Sequence, residues 1–367
     1  MKVVLLHDWL TGFRGGEWIL EAFCEMFPDA PLYTLIYDKG KLSPAIENRE
    51  IRTSFLQNIP GIFENYRKFL PLFPSAIGRM KIVEDADLVL SSSHCVIKGL
   101  LKPSGSKHIS YIHSPMRYIY DQFGNYFGKG TNPIVRASGH ICRPYLQTWD
   151  YISNQNVDHF ISNSEFVKKR IEFFYHRPAT VINPFVDLDS FREVQKSPPE
   201  REDFYLSVGA FAPNKKIDLA VGAFNILGKK LKIVGSGQDE DKLKKMAKSN
   251  IEFLGRISRE EIVSLMARAK GFIFPGVEDF GITPLEVLAA GTPLIAYRAG
   301  GVLETLNDNV AKFFNEPTVE SLIEAVREYD QKDFERKILF DRAECFSKDI
   351  FKTKIKGFID SVFEDTP

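Results

Sequence analysis

The sequence predicts an α/β protein with parallel sheets, divided into two domains. Three observations support this prediction. At 367 residues the chain is long for a single core. Short apolar runs typical of buried strands alternate with helical patterns through both halves of the chain. Residues 271–303 contain a strand, a polar loop, a helix and a second strand, which is the order found in parallel α/β sheets.

Composition excludes several classes of protein. Apolar residues make up 44% and charged residues 26% of the chain, as in a globular protein in water. Basic and acidic residues number 48 each, so no overall field attracts nucleic acid. No run approaches the ~20 apolar residues of a membrane span, and the apolar run at 3–6 is too short for a signal peptide. The four cysteines show no metal-binding spacing (Cys24, Cys95, Cys142, Cys345). We therefore expect a reduced, cytoplasmic, metal-free protein.

The N-terminal half predicts an α/β domain of its own. A helix is expected over 17–26, after a turn formed by Gly15 and Gly16. A glycine turn between a strand and a helix offers backbone amides to a phosphate, although it is also an ordinary connection. Asn163-Ser164-Glu165 indicates a strand end with Ser164 as a helix N-cap. Strands are expected at 3–6, 32–37, 88–92, 107–112, 159–162 and 179–182.

The C-terminal half predicts a second sheet. Residues 184–191 are interpreted as the linker and 193–203 as a loop. The chain is expected to be helical from 320 onward, with a last helix over 346–363. Gly300 and Gly301 indicate a turn into a further helix. Strands are expected at 204–209, 231–234, 251–255, 271–274 and 293–296.

Two carboxylates in the 271–303 stretch indicate a ligand. Glu278 lies on the loop and Glu286 in the first turn of the following helix, where Thr283 is the expected N-cap and Pro284 the first helical residue. Helix N-termini bind anions through free amides, here those of Gly281, Ile282 and Thr283. Carboxylates repel phosphate but accept hydrogen bonds from sugar hydroxyls, so a nucleotide sugar fits both. The alternative is a capping box, in which Glu286 bonds back to the Thr283 amide.

The pattern from Glu278 to Glu286, with the following Ala-Ala-Gly-Thr-Pro-Leu-Ile-Ala and Gly-Gly-Val-Leu-Glu-Thr, resembles the E-x7-E signature of family 4 of the retaining glycosyltransferases. The resemblance implies the GT-B fold, in which two Rossmann-like domains face each other across a cleft. It implies an acceptor-side domain over 1–186 and a nucleotide-sugar domain over 187–345. The last helix, within 346–367, would cross back onto the first domain.

The N-terminal half carries the resemblance further. Gly15 and Gly16 match the glycine-rich loop that approaches the donor diphosphate in this family. The segment His113-Ser-Pro-Met-Arg117-Tyr is similar to that of mannosyltransferase-like members, in which the histidine contacts the donor sugar. Arg117 and Asp121 are assigned to acceptor contact, with a local ion pair on a helix as the alternative.

In the C-terminal half, Lys215 matches a family lysine that stabilises the donor diphosphate as a leaving group. The family's arginine position is Ala210 here, a departure for which either Lys216 or Arg256 substitutes or Lys215 and loop amides suffice. The resemblance places Arg256 and Ile257 near the nucleobase. The glycine turn at Gly235 is also assigned to the donor site.

The implied activity is retaining transfer of a hexose, with mannose from GDP-mannose the leading donor and a glycan or lipid-linked saccharide as acceptor. No cofactor or metal is expected. Alternatives are a UDP-sugar transferase and a catalytically silent nucleotide-sugar-binding protein, which Ala210 permits. A Rossmann oxidoreductase is disfavoured because no G-x-G-x-x-G follows either first strand. The segment 62–81 mixes aromatics with basic residues and suggests peripheral membrane contact, unless its aromatics belong to the core.

Overall fold

The computed structural model describes residues 1–128 and 131–364. The chain divides into two compact units, Met1–Ile182 and Asn183–Pro367, and each is described by itself below. The domain boundaries expected from the sequence and the packing of the last helix onto the first domain stay predictions.

The first unit contains a seven-stranded parallel sheet in the order β3-β2-β1-β4-β5-β6-β7. Six of these strands were expected from their apolar runs. β3 was missed, because three residues with the sequence Ile-Arg-Thr give no recognisable pattern. The strands are β1 Val3–His7, β2 Leu32–Thr34, β3 Ile51–Thr53, β4 Leu88–Ser93, β5 Lys107–Ile112, β6 His159–Ser162 and β7 Ala179–Val181.

Helices connect these strands. The first begins at Gly15, two residues earlier than expected, so Gly15 and Gly16 lie in the first helical turn rather than before it. Ser164 caps α7 as expected, with its hydroxyl accepting from the Val167 amide at 3.0 Å. The helices are α1 Gly15–Met26, α2 Pro44–Glu47, α3 Ile62–Asn65, α4 Phe73–Arg79, α5 Phe123–Phe127, α6 Pro133–Ser153 and α7 Glu165–Tyr175.

The second unit contains a six-stranded parallel sheet in the order β10-β9-β8-β11-β12-β13. Numbered within the unit this is 3-2-1-4-5-6, the order of dinucleotide-binding Rossmann folds, in which the chain reverses direction across the sheet between β8 and β11. Only β13 was not expected. The strands are β8 Glu202–Val208, β9 Leu231–Val234, β10 Ile251–Gly255, β11 Ala269–Phe274, β12 Leu294–Tyr297 and β13 Ala311–Phe314.

The helices of the second unit begin with a short one in the segment expected to be a loop. The last helix agrees with the prediction to within two residues. They are α8 Arg192–Lys196, α9 Ile217–Leu227, α10 Glu240–Met246, α11 Arg259–Arg268, α12 Ile282–Ala289, α13 Val302–Thr305, α14 Val319–Tyr329, α15 Arg336–Glu344 and α16 Lys348–Glu364.

Both faces of the second sheet are covered by apolar side chains. Along β11, Phe272 and Phe274 pack into one core while Ile273 packs into the core on the other face. This alternation follows from the period of two in a strand, and burial of both faces is typical of parallel sheets. The carboxyl ends of β8 and β11 are therefore held rigidly, and any ligand site at those ends rests on a fixed base.

The aromatic residues of 62–81 pack in or against the first unit's core, and membrane contact by this segment stays a prediction. Tyr66 and Phe73 are buried, and Leu72 is the large apolar side chain that this segment exposes. Arg67 and Lys68 are exposed. Across the described ranges, 1–128 and 131–364, no helix combines the length and hydropathy needed to span a bilayer.

Candidate active site

A cation and a carboxylate meet where the second sheet changes direction. Lys215 ends the 3-10 turn Pro213–Lys215 that follows β8, and Glu278 lies on the loop that follows β11. The ammonium of Lys215 donates to Oε1 of Glu278, and the two side chains are 27% and 21% exposed. Ligands of open α/β sheets bind outside the carboxyl ends of strands at such a point. The structure thus brings together two residues that the sequence assigned to one site from positions 63 residues apart.

Gly276 allows the two loops to approach each other. A Cβ at this position would lie 2.7 Å from the carbonyl oxygen of Asn214 and 2.9 Å from Cα of Lys215. Real Cβ atoms essentially never come this close to backbone, so a side chain here would displace the turn that carries Lys215. The sequence pattern indicated only that a strand ends at Gly276 and gave no sign of this close approach.

The loop carrying Glu278 is also held from its other side by Gly300 and Gly301. The Gly301 amide donates to the carbonyl oxygen of Glu278 at 2.9 Å. A Cβ at Gly301 would lie 2.1 Å from the carbonyl oxygen of Asp279, and Gly300 has a φ of +81°. The turn into α13 was predicted correctly, but its role in holding Glu278 was not, because that role depends on tertiary contact.

The N-terminus of α12 is shifted relative to the prediction. The helix begins at Ile282, with Gly281 as N-cap at φ +90°, so Thr283 is already helical and cannot act as the N-cap. The prediction of Thr283 as N-cap was therefore wrong, and the capping box that would have occupied Glu286 does not form. Ile282 and Thr283 are in the first turn, where amides have no partner within the helix. Glycine is suited to the N-cap here because its φ lies in the left-handed region.

Glu286 instead pairs with Arg259, the first residue of α11. The two side chains are joined at 2.7 Å, and Glu286 is 16% exposed. Burial raises the pKa of Glu286, Arg259 opposes this rise, and the charges of Asp187 and Glu278 add to it. Nη2 of Arg259 is buried without a hydrogen-bond partner among the described residues. Arg259 was missed because it lies 27 positions before Glu286 with no local signal.

The residues predicted near the nucleobase have different surroundings. Arg256 is exposed, and its Nε donates to Oγ of Ser236 at 2.8 Å. Ile257 packs against the core of the second unit. Gly235 has a φ of +139°, and a Cβ there would lie 1.9 Å from the carbonyl oxygen of Gly209, so the glycine is required for packing of the strand ends. Donor contact by these residues stays a prediction.

Two positions bear on the arginine that the resemblance leads one to expect beside Lys215. Ala210 is exposed after the end of β8, where it contributes no charge. Lys216, the neighbour of Lys215, is also exposed and has a φ of +53° as the N-cap of α9. Its side chain is therefore available in solvent beside the site, whereas that of Lys215 is engaged with Glu278.

The first unit has a separate polar cluster at the carboxyl ends of β1, β4 and β5. Nδ1 of His7 lies 3.2 Å from Oγ of Ser92, and the same oxygen lies 2.8 Å from Nε2 of His113. A Cβ added to Gly16 would be 3.6 Å from Nε2 of His113. The structure therefore places Gly16 beside His113, and Gly15 precedes it in the first turn of α1. Burial lowers the pKa of His113 well below its ordinary value, and His94, His7 and Arg117 add to this effect.

Glu17 lies at the other end of this cluster. The side chain is buried, and its Oε2 accepts from the Arg14 amide at 2.9 Å. Oε1 lies 3.8 Å from Nε2 of His7. Burial opposes ionisation of this carboxyl, but the attraction of His7 and nearby backbone groups outweighs burial and lowers the pKa of Glu17.

Asp8 fixes the loop that follows β4. Oδ2 of this fully buried carboxylate accepts from the amides of His94 and Cys95 at 2.6 and 2.8 Å. Oδ1 accepts from the amides of Val96 and Ile97, both at 2.8 Å. Sequence reasoning missed Asp8, because its partners are more than 80 positions away.

The residues proposed to contact the acceptor lie after β5. Asp121 accepts from Arg170 of α7 at 2.7 Å, and Nε of Arg117 donates to Oγ of Ser114 at 3.2 Å. Arg170 also donates to Ser114 at 2.8 Å. Asp121 therefore has a structural partner that was not foreseen, and its contact with an acceptor stays a prediction. Within the part of the chain that the structure describes, no group of three or more His, Cys, Asp or Glu side chains is arranged to hold a metal ion.

Comparison with protein families gives a match to part of the chain. Residues 189–341, less than half of the chain, match the model of the family "Glycosyl transferases group 1". This segment contains Lys215, Glu278 and Glu286. An uncharacterized glycosyltransferase of Methanocaldococcus jannaschii is 25% identical over 100% of this chain and 98% of its own. The alpha-1,3/1,6-mannosyltransferase ALG2 of Dictyostelium discoideum is 28% identical over 59% of this chain and 56% of its own.

Solved structures agree with the fold over the whole chain. The sucrose-phosphate synthase of Thermosynechococcus elongatus has a TM-score of 0.74 at 17% identity, covering 100% of both chains. HepE of Anabaena, solved in complex with UDP, has a TM-score of 0.68 at 15% identity and covers 98% of this chain and 100% of its own. The expected α/β fold class of GT-B proteins is confirmed. The family match and the relatives support a glycosyltransferase.

Proposed function

We propose that the protein transfers a hexose from a nucleotide sugar to a saccharide acceptor, with retention of anomeric configuration. The observation that carries this proposal is the arrangement at the strand ends of β8 and β11 in the second unit. One lysine, two carboxylates and the start of α12 belong to one sheet edge. A diphosphate requires cations and amides, while sugar hydroxyls require acceptors, and this edge supplies both kinds of group.

Lys215 and the first amides of α12 would hold the donor diphosphate. As the bond between the sugar and the diphosphate breaks, negative charge grows on the leaving phosphate. A fixed ammonium and helix-terminal amides stabilise that charge more than they stabilise the bound donor. Lys215 is held in place by its turn and by Glu278, so little reorganisation accompanies the reaction.

The two carboxylates would bind hydroxyl groups of the donor. Glu286 would accept from the ribose hydroxyls and Glu278 from a hydroxyl of the transferred hexose. Arg259 orients Glu286 from behind, at 2.7 Å. We assign Glu278 a positioning role, because a carboxylate paired with Lys215 is a weakened nucleophile.

Retention would follow from reaction on one face of the sugar. The anomeric carbon loses its bond to the diphosphate oxygen and gains a bond to the acceptor oxygen on the same face. The acceptor hydroxyl proton passes to the departing phosphate oxygen. This scheme is balanced without a metal or cofactor.

The first unit would supply the remaining contacts. His113 would hold the transferred sugar, the amides of Gly15 and Gly16 would approach the diphosphate, and Arg117 and Asp121 would contact the acceptor. Gly235, Arg256 and Ile257 would line the nucleoside side of the donor site. A cytoplasmic location, with peripheral membrane contact through Arg67, Lys68 and Leu72, completes the proposal and would give access to a lipid-linked acceptor.

Mannose from GDP-mannose is the donor that we propose first. The name of ALG2 supports mannose, and the sequence resembles mannosyltransferase-like members of its family around His113. The complex of HepE with UDP favours a uridine donor as the alternative. A silent nucleotide-sugar-binding protein is the second alternative, because Ala210 removes one cation.

A thermal-shift panel with GDP, UDP, ADP and NAD at millimolar concentration tests the donor. We expect GDP to raise the melting temperature most, and transfer assays with the sugars of the best nucleotide should then yield product. A response to NAD alone would overturn the proposal. Binding without turnover for any sugar would identify a silent binder. Full transfer by both the Glu278→Ala and Lys215→Ala variants would refute the site assignment.

A further inference from the structure

We propose that Glu17, His7 and Ser92 form a relay that places the ring proton of His113 on Nε2 and leaves Nδ1 as a hydrogen-bond acceptor. In the proposed reaction, on which this last role rests, Nδ1 of His113 would accept a hydroxyl of the transferred sugar. The three relay residues are positioning residues, since none of them touches the sugar.

The carboxylate of Glu17 sets the direction in which the hydrogen bonds of the relay are donated. This carboxylate lies in the first turn of α1, where the helix dipole stabilises negative charge. An ionised carboxylate only accepts hydrogen bonds. The 3.8 Å between its Oε1 and Nε2 of His7 is too long for a hydrogen bond, but a bare nitrogen lone pair facing the anion would be repelled. The N–H of His7 therefore points toward Glu17 from Nε2.

The hydroxyl of Ser92 couples the tautomer of His7 to that of His113. With its proton on Nε2, the neutral ring of His7 has a lone pair on Nδ1, which faces Oγ of Ser92 at 3.2 Å. The single hydroxyl proton of Ser92 is donated to that lone pair. Oγ then accepts at 2.8 Å from Nε2 of His113, which must carry the proton. A neutral imidazole has one proton, so Nδ1 of His113 is an acceptor.

The alternative arrangement has a different consequence. If the Ser92 proton pointed to His113 instead, Nε2 would accept and Nδ1 would become a donor. The relay therefore decides whether His113 accepts a hydrogen bond from a sugar hydroxyl or donates one to it. Without Glu17, nothing in the cluster of His7, Ser92 and His113 prefers either direction.

Long-range ¹⁵N–¹H spectra of the whole protein, labelled at histidine rings, test the tautomer directly and without substrate. The wild-type protein should show His113 protonated at Nε2. Glu17→Gln and Ser92→Ala should each convert His113 to a mixture of tautomers, and Ser92→Thr, which keeps the hydroxyl, should restore the wild-type pattern. Protonation at Nδ1 in the wild type, or an unchanged tautomer in both disruptive variants, would overturn the relay.

The matched control is Ser91→Ala. Ser91 is the preceding buried serine of β4, and its Oγ contacts Nε2 of His108 at 2.9 Å, away from His113. The Ser91→Ala substitution should perturb the His108 signals and leave those of His113 unchanged. In transfer assays, loss of one hydrogen bond in the relay should lower kcat about five- to tenfold for Ser92→Ala. If the tautomer agrees but no donor is ever transferred, the relay stands and the proposed function fails.

Discussion

Replacing Lys215 by Met is the most direct test of the donor site. Methionine keeps the length of the unbranched stem and removes the ammonium, so packing against the β8 and β11 loops is preserved. The lost group is a fixed cation, 27% exposed, at the point where the leaving diphosphate would develop charge. Removing one preorganised donor of this kind costs ~2.7–4 kcal/mol in a dry site.

Because about a quarter of the Lys215 side chain meets solvent, water replaces part of its effect, and we expect a cost of ~2–3 kcal/mol. This corresponds to a fall in kcat/KM of about 30- to 150-fold. Stability should change little. Glu278 is 21% exposed even with its partner in place, and ion pairs with solvent access contribute ~0–1 kcal/mol.

The assay is initial-rate transfer with the best donor, run beside thermal unfolding of each variant. Lys216→Met is the matched control, since Lys216 is exposed and differs from Lys215 by one position. It should stay within about twofold of wild type. Retention of activity by Lys215→Met within threefold would refute the assigned role. An equal loss in Lys216→Met would show that Lys216 supplies the second cation missing at Ala210.

Three further predictions concern other parts of the molecule. Burial raises the pKa of Glu286, so this side chain is protonated at higher pH than an exposed glutamate. Nucleotide affinity, measured by calorimetry, should therefore fall as pH is lowered through this raised pKa. The Glu286→Gln variant should lack that pH dependence. Gly276→Ala should destabilise the fold by ~1–3 kcal/mol through overpacking and lower kcat/KM by displacing the Lys215 turn. If residues 62–81 contact membranes, reversing the charges of Arg67 and Lys68 to Glu should abolish cosedimentation with anionic vesicles.

Two of these predictions have a control variant, and the prediction for Glu286 has a counterpart in folding. The pH dependence of folding stability due to Glu286 is opposite to that of nucleotide affinity. A carboxyl whose pKa is raised by folding contributes stability at low pH, and this stability is lost as pH rises through the raised pKa. Gly357→Ala, in open space on α16, should leave activity unchanged and raise stability by ~0.5–1 kcal/mol, because alanine favours the helix over glycine. Vesicle binding that survives the charge reversal but is lost in Ile141→Glu would move the contact to α6, where Ile141 is 77% exposed.

Much of the fold could be predicted, because parallel strands buried on both faces leave continuous apolar runs. β5 and β6 agree with prediction at both ends, Lys107–Ile112 and His159–Ser162. The short β3 gave no such signal. The N-cap of α12 was misplaced because Thr283-Pro284 is a strong local signal, while the glycine conformation at Gly281 is imposed by the loop before it.

In the candidate site too, residues with a local sequence signal were predicted and residues without one were not. Lys215, Glu278 and Glu286 lie in local motifs and were assigned from the sequence. Their partners are distant in the chain and were not found. Arg259, which holds Glu286, and Ser92, which contacts His113, have ordinary surroundings in the sequence, and only the folded sheet brings them to these positions.

The carboxylate of Asp8 has a consequence for where anions can bind. Four consecutive amides after β4 converge on one point, and such a concavity is otherwise a receptor for phosphate. In this protein the side chain of the residue after β1 fills it with its own negative charge. A substrate phosphate would have to evict a buried anion to bind these amides, so the loop after β4 is closed to the donor diphosphate. Removal of the carboxylate, as in Asp8→Ala, would leave these four amides without their acceptor.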